Sequence, residues 1–290
     1  MDKLLSARDA VAVIQSGMTV GIGGWGPRRK PMALVRELLR SDVSDLTVIA
    51  YGGADVGLLC AAGKVRKVIF AFVSLDFMPL EPGFRLARQA GNIEVSEIDE
   101  GMMLLGLRAG AWGLPFMPTR VGLGTDVERN NPDIVRVDSP YDEKEWLAMP
   151  ALKPDVSLIH VTRADRRGVC EIASPDHYMD DMFARAATHT IVSADEVVDS
   201  AHFNDPQVAR ACHWERAVTD AVVHIPGGAH PSSSDPLYGF DVAHYKAYGQ
   251  LLSEQGYSAY AEQFLGSDEA AYQTAVGGLD AIQQLPVPVY

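Results

Sequence analysis

Leu46-Thr47-Val48-Ile49-Ala50-Tyr51-Gly52-Gly53 is followed by the run from Asp55 to Ala62, and then by Lys67-Val68-Ile69-Phe70-Ala71-Phe72-Val73. The two outer runs are rich in β-branched and aromatic residues and hardly alternate polar with apolar. That pattern marks strands buried on both faces. The segment between them reads as a helix. A further helix over Phe84 to Ala90 and a strand over Ile93 to Val95 continue the rhythm. The expected fold class is therefore α/β: an open, mainly parallel sheet flanked by helices.

Outward from this core, Ser6 caps a helix over Ala7 to Gln15 that Gly17 stops. Thr19 to Ile22 is a short strand running into Gly23-Gly24-Trp25-Gly26, and Pro31 sits in the first turn of a second helix, with Leu34, Val35, Leu38 and Leu39 on one face. Strand character returns at Val156 to Val161, Thr190 to Ser193 and Ala221 to Ile225, the last leading into the rigid turn Pro226-Gly227-Gly228-Ala229-His230-Pro231. Thr125 to Trp146 is polar and aperiodic and reads as a loop excursion, centred on 126–146. From Asp241 onward the spacing of Tyr245, Tyr248, Leu251 and Leu252 predicts a helical tail. Without a repeat or a linker, the expectation is one domain over 1–290.

A net charge of -13 argues against a nucleic-acid or anionic-membrane partner, since either would be repelled over most of the surface. Arg28-Arg29-Lys30 is a local basic exception. No stretch approaches the roughly 20 apolar residues of a membrane span. The N-terminal residues do not read as a signal peptide. Three cysteines, Cys60, Cys170 and Cys212, lack CxxC spacing and fit buried thiols in a reducing cytoplasm.

Chemistry-bearing residues concentrate in Glu97-Ile98-Asp99-Glu100, where a strand gives way to a helix. Carboxyl ends of strands are where ligands meet open α/β sheets. From the residues alone, Glu100 is as readily a helix cap as a catalyst. Gly21-Ile22-Gly23-Gly24-Trp25-Gly26 satisfies the literal GxGxxG string, but Pro27 to Pro31 separates its last glycine from the helix, which argues against a dinucleotide site. A backbone loop offering the N–H groups of Gly23, Gly24 and Trp25 to a developing negative charge is preferred over a plain turn. The eight histidines form no HxxxH or HxxEH pair, so a metal is not expected; His230 reads as structural.

Ser16 to Pro31 resembles the N-terminal signature of class I CoA-transferase α subunits, with Trp25 for the usual Phe and Arg29 where Gly is usual. Gly113 to Arg120 with Leu123-Gly124-Thr125-Asp126, His160 to Gly168 and Val222 to Pro231 are similar to the glutaconate CoA-transferase branch. No Ser-Glu-Asn-Gly string, which carries the transferase glutamate on the β subunit or β half, occurs here. The acids at Glu97 to Glu100, with Gly24 to Met32 and Tyr51-Gly52-Gly53, instead resemble the steroid ring-cleaving branch of this family.

That resemblance implies an α subunit in an α2β2 heterotetramer, active on a cyclohexenone carboxyl-CoA thioester in cholesterol or steroid catabolism by hydrolytic, retro-Claisen-type cleavage. It implies no cofactor beyond the coenzyme A of the substrate, and no metal. Glu100 is the matching catalytic residue, with Glu97 and Asp99 as neighbours that raise its pKa or as surface charges. Arg28, Arg29, Lys30 and Arg120 are candidates for CoA phosphates or a substrate carboxylate. The alternatives for Arg120 and the triplet are an ion pair with Asp126 or Glu128 and a solvated loop face. The competing functional expectation is the α half of a glutaconate-type CoA-transferase whose nucleophilic Glu lies on the β partner. A non-catalytic scaffold and a nucleotide-dependent oxidoreductase rank lower.

Overall fold

A computed structural model describes residues 2–78 and 80–287, so both ends of the expected 1–290 unit and position 79 lie outside the described residues. The strands are β1 (Leu4–Leu5), β2 (Thr19–Ile22), β3 (Leu46–Gly52), β4 (Val65–Val73), β5 (Glu94–Glu97), β6 (Phe116–Thr119), β7 (Val135–Asp138), β8 (Glu145–Pro150), β9 (Val156–Asp165), β10 (Cys170–Glu171), β11 (His189–Val198) and β12 (Ala221–His224). Among the described residues, eight form a parallel sheet in the order β1-β12-β11-β9-β2-β3-β4-β5, and β10 adds an antiparallel pairing on β9.

β3 explains why the sheet is covered on both faces. All seven of its residues are buried. Val48 and Ala50 pack into one apolar cluster, whereas Ile49 and Tyr51 pack into another, as the period of two requires. β12 divides in the same way, Ala221 and Val223 against Val222. Each valine or isoleucine among them contributes about 1.5–3 kcal/mol by leaving water.

The first cluster lies under α1 (Ala7–Val11), α2 (Met32–Arg40), α3 (Ala54–Ala61) and α4 (Pro82–Gln89). The second is covered by α5 (Glu100–Ala111), which the short α6 (Asp126–Asn130) follows, and by α7 (Asp180–Ala186). α1 ends at Val11 and not at Gln15, and Pro31 is the N-cap of α2 rather than its first-turn residue. After α8 (Pro206–Ala209), the helical tail starts at α9 (Val242–Glu254) and continues as α10 (Tyr257–Tyr260), a π-turn over Ala261–Leu265, α11 (Glu269–Ala275) and α12 (Leu279–Gln283).

The excursion expected over 126–146 is partly regular. β6, β8 and β7 form a three-stranded antiparallel sheet in that order, with Val135↔Ala148 and Thr119↔Leu147 in register. Its outer strands show one face to solvent, so their sequence lacks the apolar run that marks the main sheet.

Sheet order places the site. From β2 the chain builds one way through β3, β4 and β5, and from β9 the other way through β11 and β12; β2 and β9 are neighbours, with Ile22 paired to Leu158. This reversal is a topological switch point, where a crevice opens beyond the carboxyl ends of the strands. The glycine loop after β2 lies there. β5, a four-residue edge strand, stops where Glu97 pairs with Phe70, while β4 continues to Val73.

Candidate active site

Asp99, not Glu100, caps α5. Its carboxylate accepts the Gly101 N–H at 2.7 Å from an extended backbone, and Glu100 is the first helical residue. The cap half of the cap-or-catalyst alternative thereby falls to Asp99. Glu100 is exposed, and among the described residues its carboxylate has no hydrogen bond or ion pair. Partial burial, reinforced by the Asp99 charge, raises its pKa above the usual carboxylate value. Glu97 turns instead to Arg88, 2.9 Å away on the surface.

An aromatic stack adjoins this acid. The Tyr51 hydroxyl donates to the Glu100 carbonyl at 3.0 Å, and the Tyr51 ring stacks on Trp25 with centroids 4.8 Å apart and planes at 17°. Tyr178 stacks on Trp25 at 5.7 Å and 20°, and Phe72 meets it tilted at 4.8 Å. Burial above all, and then Glu100 and Asp99, hold the Tyr51 phenol well above its ordinary pKa, so it stays a hydrogen-bond donor. Phe72 also lines a cavity of about 510 Å³ at the step between β4 and β5, shared with Phe84, Leu80, Arg85 and Arg88.

The glycine loop does not present free amides. Gly23 N donates to Leu158 O at 2.9 Å, Gly24 N to the Asp180 carboxylate at 2.7 Å and Trp25 N to Arg28 O at 2.9 Å. The oxyanion role expected of Gly23, Gly24 and Trp25 is thus corrected: their donors are already engaged. The glycines serve close approach. At Gly24, with φ +73°, a Cβ would lie 2.5 Å from the carbonyl oxygens of Arg28 and Arg29.

Arg28-Arg29-Lys30 separates into one surface cation and two sealed ones. Arg28 pairs with Asp76 at 2.5 Å, both partly exposed. Arg29 is 1% exposed and pairs with Asp180 at 2.5 Å. Lys30 is fully buried, 3.0 Å from Asp55 without an aligned hydrogen bond; burial pushes its ammonium below the ordinary lysine value and Asp55 offsets this in part. Neither a solvated face nor a phosphate clamp describes Arg29 and Lys30, whose charges point inward. Arg120 is exposed and makes no ion pair among the described residues, because Asp126 pairs with Arg129 and Glu128 with Arg136.

The coenzyme A transferase family model matches residues 4–224. The chain belongs to the coenzyme A transferase family. It is 45% identical to the cholesterol ring-cleaving hydrolase IpdA subunit of Rhodococcus jostii over 95% of this chain and 96% of that one. The IpdA subunit of Mycobacterium tuberculosis is 43% identical, covering 97% and 99%. The crystal structure of glutaconate coenzyme A-transferase from Acidaminococcus fermentans superposes with a TM-score of 0.90 at 26% identity, over 99% of this chain and 96% of that one.

Within this coenzyme A transferase fold, Arg29 occupies a backbone conformation with φ +45°, a region that favours glycine. Other polar residues are sealed. His160 lies 2.9 Å from both Ser193 and Asp195, but all three are buried, and Asp195 also accepts from Ser234, Tyr238 and Gly227. This Ser-His-Asp set joins β9 and β11 to the 227–238 turn; its serine faces no solvent. His230 is held by Tyr272 and Asp241, in keeping with a structural turn histidine. All three cysteines are free; Cys60 and Cys170 are buried, Cys212 only in part. Asp180, Phe72 and Tyr178 are missed by the sequence reading, since nothing local links them to the glycine loop.

Among the described residues, no three His, Cys, Asp or Glu side chains gather as a metal-ligand set, and no helix is long and apolar enough to cross a membrane.

Proposed function

We propose that this chain is the α subunit of a hydrolase that opens the last steroid ring, a cyclohexenone carboxyl-CoA thioester, with Glu100 as its base. Two similar chains that share 43–45% identity over nearly their whole length are named as IpdA subunits of a cholesterol ring-cleaving hydrolase, which supports this reading. The observation that carries the residue assignment is the division between Asp99 and Glu100. The cap is taken by Asp99, which leaves the Glu100 carboxylate exposed, unpaired and less acidic than usual beside an aromatic surface.

Glu100 takes a proton from water as its oxygen adds to the ring ketone. The tetrahedral adduct collapses to a carboxylic acid as the ring C–C bond breaks. The bond's electron pair passes to the carbon α to the thioester, and protonated Glu100 returns the proton to that carbon. Such base catalysis contributes about 10²–10⁴-fold. Arg28 and Arg120, the surface cations of the set, meet the CoA phosphates or a free carboxylate on the substrate. The working unit is an α2β2 heterotetramer in the cytoplasm, with this chain as one domain.

The test is ring opening by the copurified complex. Glu100→Gln that assembles but loses ring opening supports the assignment; an active Glu100→Ala refutes it. Likeness to glutaconate coenzyme A-transferase favours one rival, an α half whose nucleophilic glutamate lies on the partner. A Ser-Glu-Asn-Gly string in the partner, with borohydride trapping of a glutamyl-CoA thioester there, would decide for transfer.

A further inference from the structure

The guanidinium of Arg29 is engaged almost wholly with the segment 174–180. Its Nε donates to Ser174 Oγ at 3.0 Å and its Nη2 to the Asp176 carbonyl at 2.9 Å, while Nη1 meets Asp180 at 2.5 Å and the His160 carbonyl at 3.4 Å. The same group lies over the Tyr178 ring, 5.2 Å from its centroid. Both residues hold positive φ, +45° at Arg29 and +50° at Tyr178, conformations that a non-glycine residue keeps only when its surroundings impose them. Asp180 in turn accepts the Gly24 N–H, so one buried charge pair fixes both the glycine loop and the segment opposite. From Tyr178 the contacts run through Trp25 and Tyr51 to the carbonyl of Glu100.

We propose that Arg29 is a positioning residue that holds the segment 174–180 so that Tyr178 completes the aromatic stack beside Glu100, and that the completed stack selects CoA thioesters with a cyclic apolar acyl group. The selectivity rests on the ring-opening reading above; the clamp does not. Rigid aromatic walls supply contact area at little cost in ordering, and a wall that must order on binding weakens affinity. Arg29 touches no substrate in this scheme and acts through Tyr178.

Arg29→Lys is the decisive variant. It keeps the charge that Asp180 requires, but an ammonium cannot span Ser174, Asp176 and His160 together. In the assembled complex, amide exchange over 174–180 is expected to quicken about tenfold. KM for the ring thioester should rise about tenfold while kcat stays within about threefold. Tyr178→Leu should reproduce the KM change, and the double variant should add nothing further, as coupled residues do. Inhibition by butyryl-CoA, which lacks a ring, should move less than about twofold.

Unchanged exchange, additive KM effects or equal weakening of butyryl-CoA would overturn the proposal. If Arg29→Lys does not assemble, the paired change Arg29→Gly with Asp180→Asn, which suits φ +45° and leaves no buried charge unpaired, replaces it with the same expectations. Should the unmodified complex fail to open the ring thioester, the functional reading falls. Exchange over 174–180, together with inhibition of the Tyr178→Leu complex by cyclohexanecarbonyl-CoA and by butyryl-CoA, then still decides the positioning role.

Discussion

The Tyr51 hydroxyl donates to the backbone carbonyl of Glu100 at 3.0 Å, tying the end of β3 to the first turn of α5. The proposed base is therefore fixed at its backbone while its carboxylate stays free. Partial burial and then the Asp99 charge raise its pKa, and a base works only when deprotonated, so activity should rise with pH through the Glu100 pKa. Asp99→Asn keeps a capping oxygen but removes the charge. The acidic limb of the kcat/KM profile is expected to move to lower pH in this variant, and an unmoved limb would show that Asp99 does not tune Glu100.

Asp180 joins two buried partners, Arg29 and the Gly24 amide. Asp180→Ala strands a buried guanidinium, and losses of about 3–5 kcal/mol follow when one member of such a pair is removed. Asp180→Asn, which still accepts from Gly24, should lose less. Chemical denaturation of the two variants compares them directly.

Lys30 and Asp55 are sealed together, and Asp55 also accepts the Gly53 N–H at 2.7 Å. Each single change, Lys30→Met or Asp55→Asn, leaves one buried group uncompensated and should destabilise the chain. The double variant should recover much of that loss, because a neutral pair avoids charge desolvation. KM for the CoA thioester is expected to be unchanged in the double variant; a large rise would restore Lys30 to a ligand-binding role.

Glu81 caps α4 through the Gly83 and Phe84 amides, accepts from Tyr248, and is raised by burial to a pKa of about 7. A raised folded-state value means that the native state holds its proton where the unfolded chain has released it. The stabilisation is full below the unfolded value near 4.5 and is lost as pH rises through about 7, an effect of about 3 kcal/mol. Melting temperature should fall across that window in the unmodified protein. Glu81→Gln should flatten the fall.

Much of the fold is legible in sequence because parallel strands buried on both faces announce themselves. β2 matches its expected span to the residue, and β3 and β4 differ from theirs only at the ends. The small sheet of β6, β7 and β8 escapes that reading, since its strands are short and half solvated. At the site, the strand-to-helix junction holding Glu100 is evident, whereas a charged triplet beside glycines reads as surface. What turns Arg29 inward is Asp180, 151 residues along the chain, and a local pattern cannot register so distant a counter-ion.

The sheet ends at β5, a strand of only four residues that carries exposed Glu94 and Glu97. Strands from another molecule that approach this rim meet carboxylates before they meet hydrogen-bonding partners, which discourages edge-to-edge polymerisation. That guard is ionic and reaches no further than the Debye length. Added salt shortens its range, so the chain's colloidal stability, and not only its chemistry, depends on ionic strength.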